Sequence, residues 1–337
     1  MKNLTKVLLF FILAGEICLI FFSVFFLVKR NFLPMENYFL EDKKFYDFAD
    51  LMRKNRITIF AVGDIMLDRG VEYAVEKQGN GDFRFPFLKI ADYLKKADIL
   101  FGNLESVISN KGEKVGSVYS FRADPKAIEG LLFAGFDILS VANNHIFDYG
   151  RLAMEDGLKR LKNVGIGYIG AGFNEEEVRS GIIKEIKGVK ICFLAYNNKG
   201  SEYWQAGENS SGISWLDDKI TKDVRTAKEK SDLVIVSMHF GEEYQNKQNG
   251  EQEYFAKLAI DSGADLVLGH HPHVIQPVEK YKQGWIAHSL GNFIFDQNFS
   301  EETMEGILLE VIVENKKIQK ISQIKIEISE NFQPVNI

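Results

Sequence analysis

An apolar run at Leu266 to Leu268 leads into Gly269-His270-His271-Pro272-His273, which places three imidazoles within four positions. The other three histidines are His145, His239 and His288, and all six lie where strands should end or in the loops just after. Neutral imidazole is the commonest protein ligand for metals, and carboxylate or amide oxygens complete such a shell for a hard cation. The pattern therefore points to one metal centre assembled from many loops, and with it to hydrolytic chemistry.

The oxygen donors sit in matching places. Gly63-Asp64 ends the first apolar strand, and its glycine should let the chain turn sharply and leave Asp64 at the strand's end. Ligands of open α/β sheets gather at such carboxyl ends. Asp68 and Arg69 read as an exposed ion pair. Gly102-Asn103-Leu104-Glu105 repeats the glycine-then-polar arrangement with an amide and a carboxylate. Asn143-Asn144-His145, followed by Asp148, combines two amides, an imidazole and a carboxylate that can fix the imidazole tautomer. His239 ends another apolar strand and precedes Gly241, Glu242 and Glu243. Pro272 should fix the rings of His271 and His273 relative to each other. His270, His288, Asn292 and Asp296 read as substrate-binding groups or supports behind the ligands. Capping, turn and ion-pair roles remain the plainer alternatives for the isolated acids and amides. No dinucleotide fingerprint, P-loop or nucleophile elbow is present.

The elements that must position these groups alternate. Apolar strand-like runs recur at 57–62, 98–101, 137–142, 166–169, 189–195, 233–238, 265–268 and 285–287. Helix-like segments are expected at 85–96, 126–134, 150–163, 215–230 and 252–262. Several strands are near-continuous in apolar residues, as in sheets covered on both faces, and the alternation predicts an α/β fold. Residues 307–313 and 318–328 read as a β-hairpin closing a sheet edge, with its turn at 314–317. Residues 170–212 carry few site signals and read as a possible insertion.

Of the 337 residues, 46% are hydrophobic, enough for a full core. A net charge of -6 argues against nucleic-acid partners, which usually leave a basic footprint. Val7 to Val28 form an apolar run broken only by Glu16, roughly 33 Å long as a helix, enough to span a membrane. Lys29 and Arg30 follow directly with no small-residue cleavage site, so the run predicts an uncleaved single-pass anchor. The division expected is an anchor at 1–30, a juxtamembrane linker at 31–55 and a globular domain at 56–330 facing out of the cytoplasm. Cys18 and Cys192 leave no disulfide within that domain.

Taken together and in this order, GDIMLD, GNLE, NNHIFDYG, HFGEEY, GHHPHVIQ and SLGNFIFDQ resemble the CapA-type poly-γ-glutamate biosynthesis family, itself related to calcineurin-like metallophosphoesterases. The resemblance implies a two-sheet α/β sandwich flanked by helices, with a metal site at the strand ends. It also implies a membrane-anchored part in making or exporting an anionic γ-linked glutamate polymer, with synthase or exporter membrane proteins as partners. Under it, Asp64, Glu105, Asn144, His239, His271 and His273 would ligate one or two divalent ions of Mn, Fe or Zn. His145 would be the catalytic acid, paired with Asp148. Two phosphoesterase motifs are altered here. Asp-x-His is Asp64-Ile65-Met66, and the bridging aspartate of Gly-Asp-x-x-Asp is absent from Gly102-Asn103-Leu104-Glu105. Two other classes stand beside the metal-dependent hydrolase: a non-catalytic scaffold or polymer-binding subunit, and a phosphatase unrelated to capsules.

Overall fold

A computed structural model describes residues 56–336. The expected anchor and linker lie outside them, and among the described residues no helix is long and apolar enough to cross a membrane. In chain order the elements that build the site are β1 (Ile57–Ile65), α1 (Arg69–Lys77), β2 (Ile99–Leu104), α2 (Ala127–Ala134), β3 (Ile138–Ser140), α3 (Gly150–Asn163) and β4 (Gly167–Ile169). Then follow β5 (Ile182–Ile186), β6 (Val189–Asn197), α4 (Ile220–Lys230), β7 (Leu233–His239), α5 (Gly250–Ser262), β8 (Leu266–His270), β9 (Val278–Tyr281) and β10 (Gly284–Ala287). The chain ends with β11 (Asn292–Ile294), β12 (Glu305–Glu314), β13 (Lys317–Ile328) and β14 (Pro334–Asn336).

These strands make two large sheets. The first runs β14-β13-β12-β1-β2-β3-β4, with β11 paired to the end of β1; the second runs β9-β10-β8-β7-β6-β5. Between the sheets lie Ile59 and Phe101 from one side and Phe193, Ile235 and Leu268 from the other. The rings of Phe101 and Phe193 stack with centroids 5.9 Å apart. Helices α1, α2 and α3 cover the outer face of the first sheet through Val71, Leu131 and Leu158. Helices α4 and α5 cover the second through Val224 and Ile260. Full burial of each such side chain contributes about 1.5–3 kcal/mol. Both central sheets are thus covered on both faces, which is why their strands read as unbroken apolar runs.

Local sequence sets the boundaries. Asn249 and Gln252 form a reciprocal capping box at the start of α5, and Gly263, at φ 118°, ends it. The hairpin turn rests on Asn315 and Lys316, both at positive φ, the pattern of a type I′ turn. Several expectations need correction. Residues 85–96 hold only a 3₁₀ turn at Phe85–Phe87 and a single helical turn at Ala91–Leu94, since Pro86 sits at the start and the apolar spacing serves packing. Helix α4 begins at Ile220, five residues later than expected. Helix α1 follows the first motif unannounced: Asp68 caps it through the Arg69 N–H, and the other Asp68 oxygen accepts from Arg122 N at 2.7 Å. Asp68 and Arg69 are therefore not an ion pair; the Arg69 guanidinium binds Asp296. Residues 170–212 as a whole are no insertion, since they supply all of β5 and β6 to the second sheet.

Candidate metal centre

Strand register brings the polar residues to one level. In the first sheet Asp64 lies opposite Asn292 of β11 and Asn103 of β2, and Asn103 lies opposite Ser140 of β3. In the second, Asn197, His239 and His270 are paired in a row across β6, β7 and β8. All these pairings are parallel, so the row marks the carboxyl ends of the strands. Gly63 is needed for a reason other than a turn. A Cβ there would stand 1.9 Å from the carbonyl oxygen of Gly291, which accepts the Asp64 N–H at 3.0 Å. The bare backbone lets β11 dock against β1 and complete the site.

The carboxylates and imidazoles converge. One buried amide group, Asn103 Nδ2, donates to Asp64 Oδ1 at 2.8 Å and lies 3.2 Å from Glu105 Oε2. Asn143 Nδ2 lies 3.3 Å from Asn103 Oδ1 and donates to Leu104 O at 2.8 Å. Glu105 Oε1 is buried and accepts no hydrogen bond. Around it stand His273 Nε2 at 3.6 Å and the Nε2 atoms of His145 and His239 at 3.9 Å. The Asn144 amide oxygen is 2.7 Å from His239 Nε2. His273 Nδ1 lies 3.0 Å from Asn292 Oδ1 and 3.4 Å from Asp64 Oδ2, while His270 Nδ1 is 3.2 Å from Asp64 Oδ1.

Two ligand sets share Glu105: one adds His239 and His271, the other Asp64 and His273, each with its ligand atoms within 4.8 Å of one another. A third set joins the exposed Glu243 to His271 and His273. Electrostatics without a cation are poorly balanced. Burial, then repulsion from Asp64, Glu243 and Asp148, pushes the Glu105 carboxyl well above the usual range. Burial also acts to raise Asp64, but His270 and His273 outweigh it and hold that carboxyl well below the usual range. Burial first, then the neighbouring imidazole, holds His239 and His271 well below the ordinary histidine value, so both are neutral and ligand-competent. An orphaned carboxylate oxygen facing imidazole nitrogens is a donor set that a divalent cation fits, and the cation would lift the repulsion on Glu105.

The loop after β8 carries strain. His271 is at φ 97° and His273 at φ 59°, a region costly for residues other than glycine, about 1–3 kcal/mol each. Its anchor is the Pro272 carbonyl, which accepts from Tyr244 N at 2.8 Å. His145 is set apart by its support. Asp148 Oδ2 already accepts the Phe121 N–H at 2.8 Å, so it takes a second hydrogen bond from His145 Nδ1 at 2.7 Å and leaves Nε2 facing the centre.

Of the sequence-derived residues, Asp64, Asn103, Glu105, Asn143, Asn144, His145, His239, His270, His271, His273 and Asn292 come together, with Asp148 behind His145. Glu243 lies at the mouth. Asp296 does not reach the donors; it binds Arg69 and accepts from Gly70 N at 2.9 Å. His288 is a correction. Its neighbour Ala287 pairs with Leu268, so His288 falls beside Gly269 and turns its Nε2 to Glu279, 2.9 Å away at the sheet edge. Met66 is buried in the core, with its sulfur 3.1 Å from Asp68 N. Sequence reasoning missed Asn197 and Lys199, whose signal was an apolar strand ending in Asn-Asn-Lys-Gly.

Fold and site together define a two-sheet α/β domain with a metal-ligand set at the carboxyl strand ends. The chain belongs to the bacterial capsule synthesis protein family PGA_cap, whose model matches residues 58–297. It is 35% identical over 258 residues to the capsule biosynthesis protein CapA of Bacillus anthracis, covering 73% of this chain and 61% of that protein. It is 31% identical over 243 residues to the PGA biosynthesis protein CapA of Bacillus subtilis, covering 71% and 63%. It thus spans less than two thirds of the length of these two relatives. A probable polyglutamine synthesis accessory protein of Mycobacterium tuberculosis is 26% identical over 283 residues, covering 71% and 74%. Among solved structures, a phosphatase from Mycoplasma pneumoniae gives a TM-score of 0.47 at 16% identity, covering 81% of this chain and 94% of that one. The NAD nucleotidase of Haemophilus influenzae gives 0.49 at 10%, covering 84% and 60%. Neither likeness assigns chemistry to this chain.

Proposed function

We propose that this chain is a membrane-anchored, metal-dependent component of poly-γ-glutamate capsule or exopolymer synthesis and export. Its domain, outside the cytoplasm, would hydrolyse or transfer the anionic polymer beside synthase and exporter partners. Family membership and the relatives' names support the pathway, and the Val7–Val28 run supports the anchor. The observation that carries the metal-dependent reading is the buried, unpartnered Glu105 Oε1 ringed by imidazole nitrogens.

Glu105, Asp64, Asn144, His239, His271 and His273 would hold one or two divalent ions. Such an ion polarises a phosphoryl or acyl oxygen and activates water. The chain's own groups supply the rest. Asn103 keeps the two carboxylates aimed inward with one NH2 group. Asp148 holds the His145 ring through Nδ1–H with Nε2 aimed at the centre, and its carboxylate would stabilise the imidazolium from which Nε2 could hand a proton to a leaving group.

Metal analysis of the full-length chain, purified without chelators, tests this reading. Stoichiometric Mn, Fe or Zn is expected, and a fully folded chain free of metal would overturn it. In cells, His145→Ala should abolish polymer output as deletion does. Full output from His145→Ala, with none from the deletion, would make the chain a non-catalytic subunit instead.

A further inference from the structure

We infer that Lys199 is the substrate-anion anchor of this centre: it binds a negatively charged group of the substrate on one side of His145 and sets the direction in which the substrate lies. The inference rests on the metal-dependent reading above and deepens it by naming a specificity residue.

Two cavities meet at His145, Glu243 and Tyr244. The larger, about 640 Å³, reaches Asn144, Asp148 and His271, and Lys199 is the one lysine or arginine in its lining. The smaller, about 170 Å³, is walled by Tyr119, Phe121, Phe295 and Phe299 and contains Arg69. The two cations differ in availability. Arg69 is committed to Asp296, with Nε donating to Oδ2 at 3.0 Å and a second contact from Nη2. Among the described residues Lys199 pairs with Glu242 alone, at 3.4 Å, and that carboxylate is 67% exposed. An exposed pair of this kind is weak, so an incoming anion can displace Glu242.

The backbone under Lys199 is built rigidly. Asn197 is fully buried; its Oδ1 accepts the Lys199 N–H at 3.0 Å and its Nδ2 donates to the Lys199 carbonyl at 2.8 Å. Asn197 pairs with His239 in the parallel ladder, and Asn198 N donates to the His239 carbonyl at 3.3 Å. The strand that presents a metal-ligand candidate therefore also fixes the lysine. Behind it, a Cβ on Gly200 would meet the Trp204 ring at 2.1 Å, and Trp204 stacks on Phe147 with centroids 5.4 Å apart. The loop is thus packed against the segment that carries His145. An ammonium in the cavity that reaches His145 and His271, and an aromatic pocket with a neutralised guanidinium on the other side, favour a substrate that meets the centre with an anionic group on the Lys199 side. A carboxylate and a phosphate share the chemistry that Lys199 recognises.

Titration calorimetry on the full-length, metal-loaded chain tests this with two probes, a γ-linked glutamate decamer and inorganic phosphate. Metal content is measured on each variant. Lys199→Ala should weaken decamer binding about ten-fold or more, the size of one lost charged hydrogen bond. Lys199→Arg should restore most of it, with metal content unchanged in both. Equal decamer affinity in wild type and Lys199→Ala would overturn the inference, as would failure of the wild type to bind either probe. If the wild type binds phosphate alone and Lys199→Ala loses it, the anion anchor stands and the polymer reading falls.

Discussion

The two sheets make unequal contributions to one centre. The first sheet supplies oxygen and charge: Asp64, Glu105 and the amides of Asn103, Asn143 and Asn144. The second supplies nitrogen: His239 on β7, and His270, His271 and His273 at the end of β8. Each sheet alone is a poor host. Two buried carboxylates repel, and the imidazoles of the second sheet, with His239 and His271 held neutral by burial, bring no negative charge to attract a cation. Only their apposition gives a mixed oxygen and nitrogen donor set that could hold a divalent cation. The contrast also shows where the fold bears an electrostatic cost, since burial and then repulsion from Asp64 and Glu243 push the Glu105 carboxyl well above its usual range.

The sharpest way to break the division is Glu105→Gln, which removes the carboxylate common to the two fully buried ligand sets. Metal affinity should fall well beyond the about 10- to 100-fold typical of losing a group behind a ligand, measured by competition with a chromophoric chelator. Next, if the proposed hydrolysis or transfer of a γ-linked glutamate oligomer is the reaction, His145→Gln should leave metal content intact while cutting its turnover about 100-fold or more. Normal turnover would remove His145 from the chemistry. Asn103→Ala leaves every ligand in place but frees the carboxylates it orients, and metal affinity should drop about 10- to 100-fold. An unchanged affinity would show that strand register alone aims them.

The smallest effect separates the sheets by pH in the metal-stripped chain. His239 and His271 stay neutral in the native state below the ordinary value of 6.5, whereas the unfolded chain takes up protons there. Stability should therefore fall as pH drops below 6.5, by up to about 1.4 kcal/mol per pH unit for each imidazole. Glu105 opposes this, because its raised carboxyl keeps a proton longer in the native state. Denaturant melts between pH 5 and 7 should show a steeper slope in Glu105→Gln than in wild type. A flat profile in both would mean that neither sheet is under the strain described.

Much of this was legible in the chain itself. Unbroken apolar runs gave away strands covered on both faces, and polar residues placed just after them gave away the carboxyl ends. What the runs could not convey was the facing of individual side chains. His288 follows a strand like the others, yet its pairing beside Gly269 turns it to Glu279. Gly63 suggested a turn, and its reason emerged only when β11 arrived from more than two hundred residues away. Helix α1 was hidden because Asp68 and Arg69 carry the same letters whether they pair with each other or with distant partners. Lys199 was hidden because one lysine in a polar loop looks like any other until its backbone is seen clasped by Asn197.

The in-register row has one more consequence. Asp64, Asn103, His239 and His270 take their places through backbone pairing, and a strand slipped by one residue would turn its donor to the opposite face. A chain with such a misthreaded strand would lack part of the proposed ligand set. On the proposed reading, metal uptake would be coupled to correct pairing in both sheets, and the ion would act as a proofreader of the fold: a molecule that retained it would, by that fact, have passed inspection of strands that lie far apart in sequence.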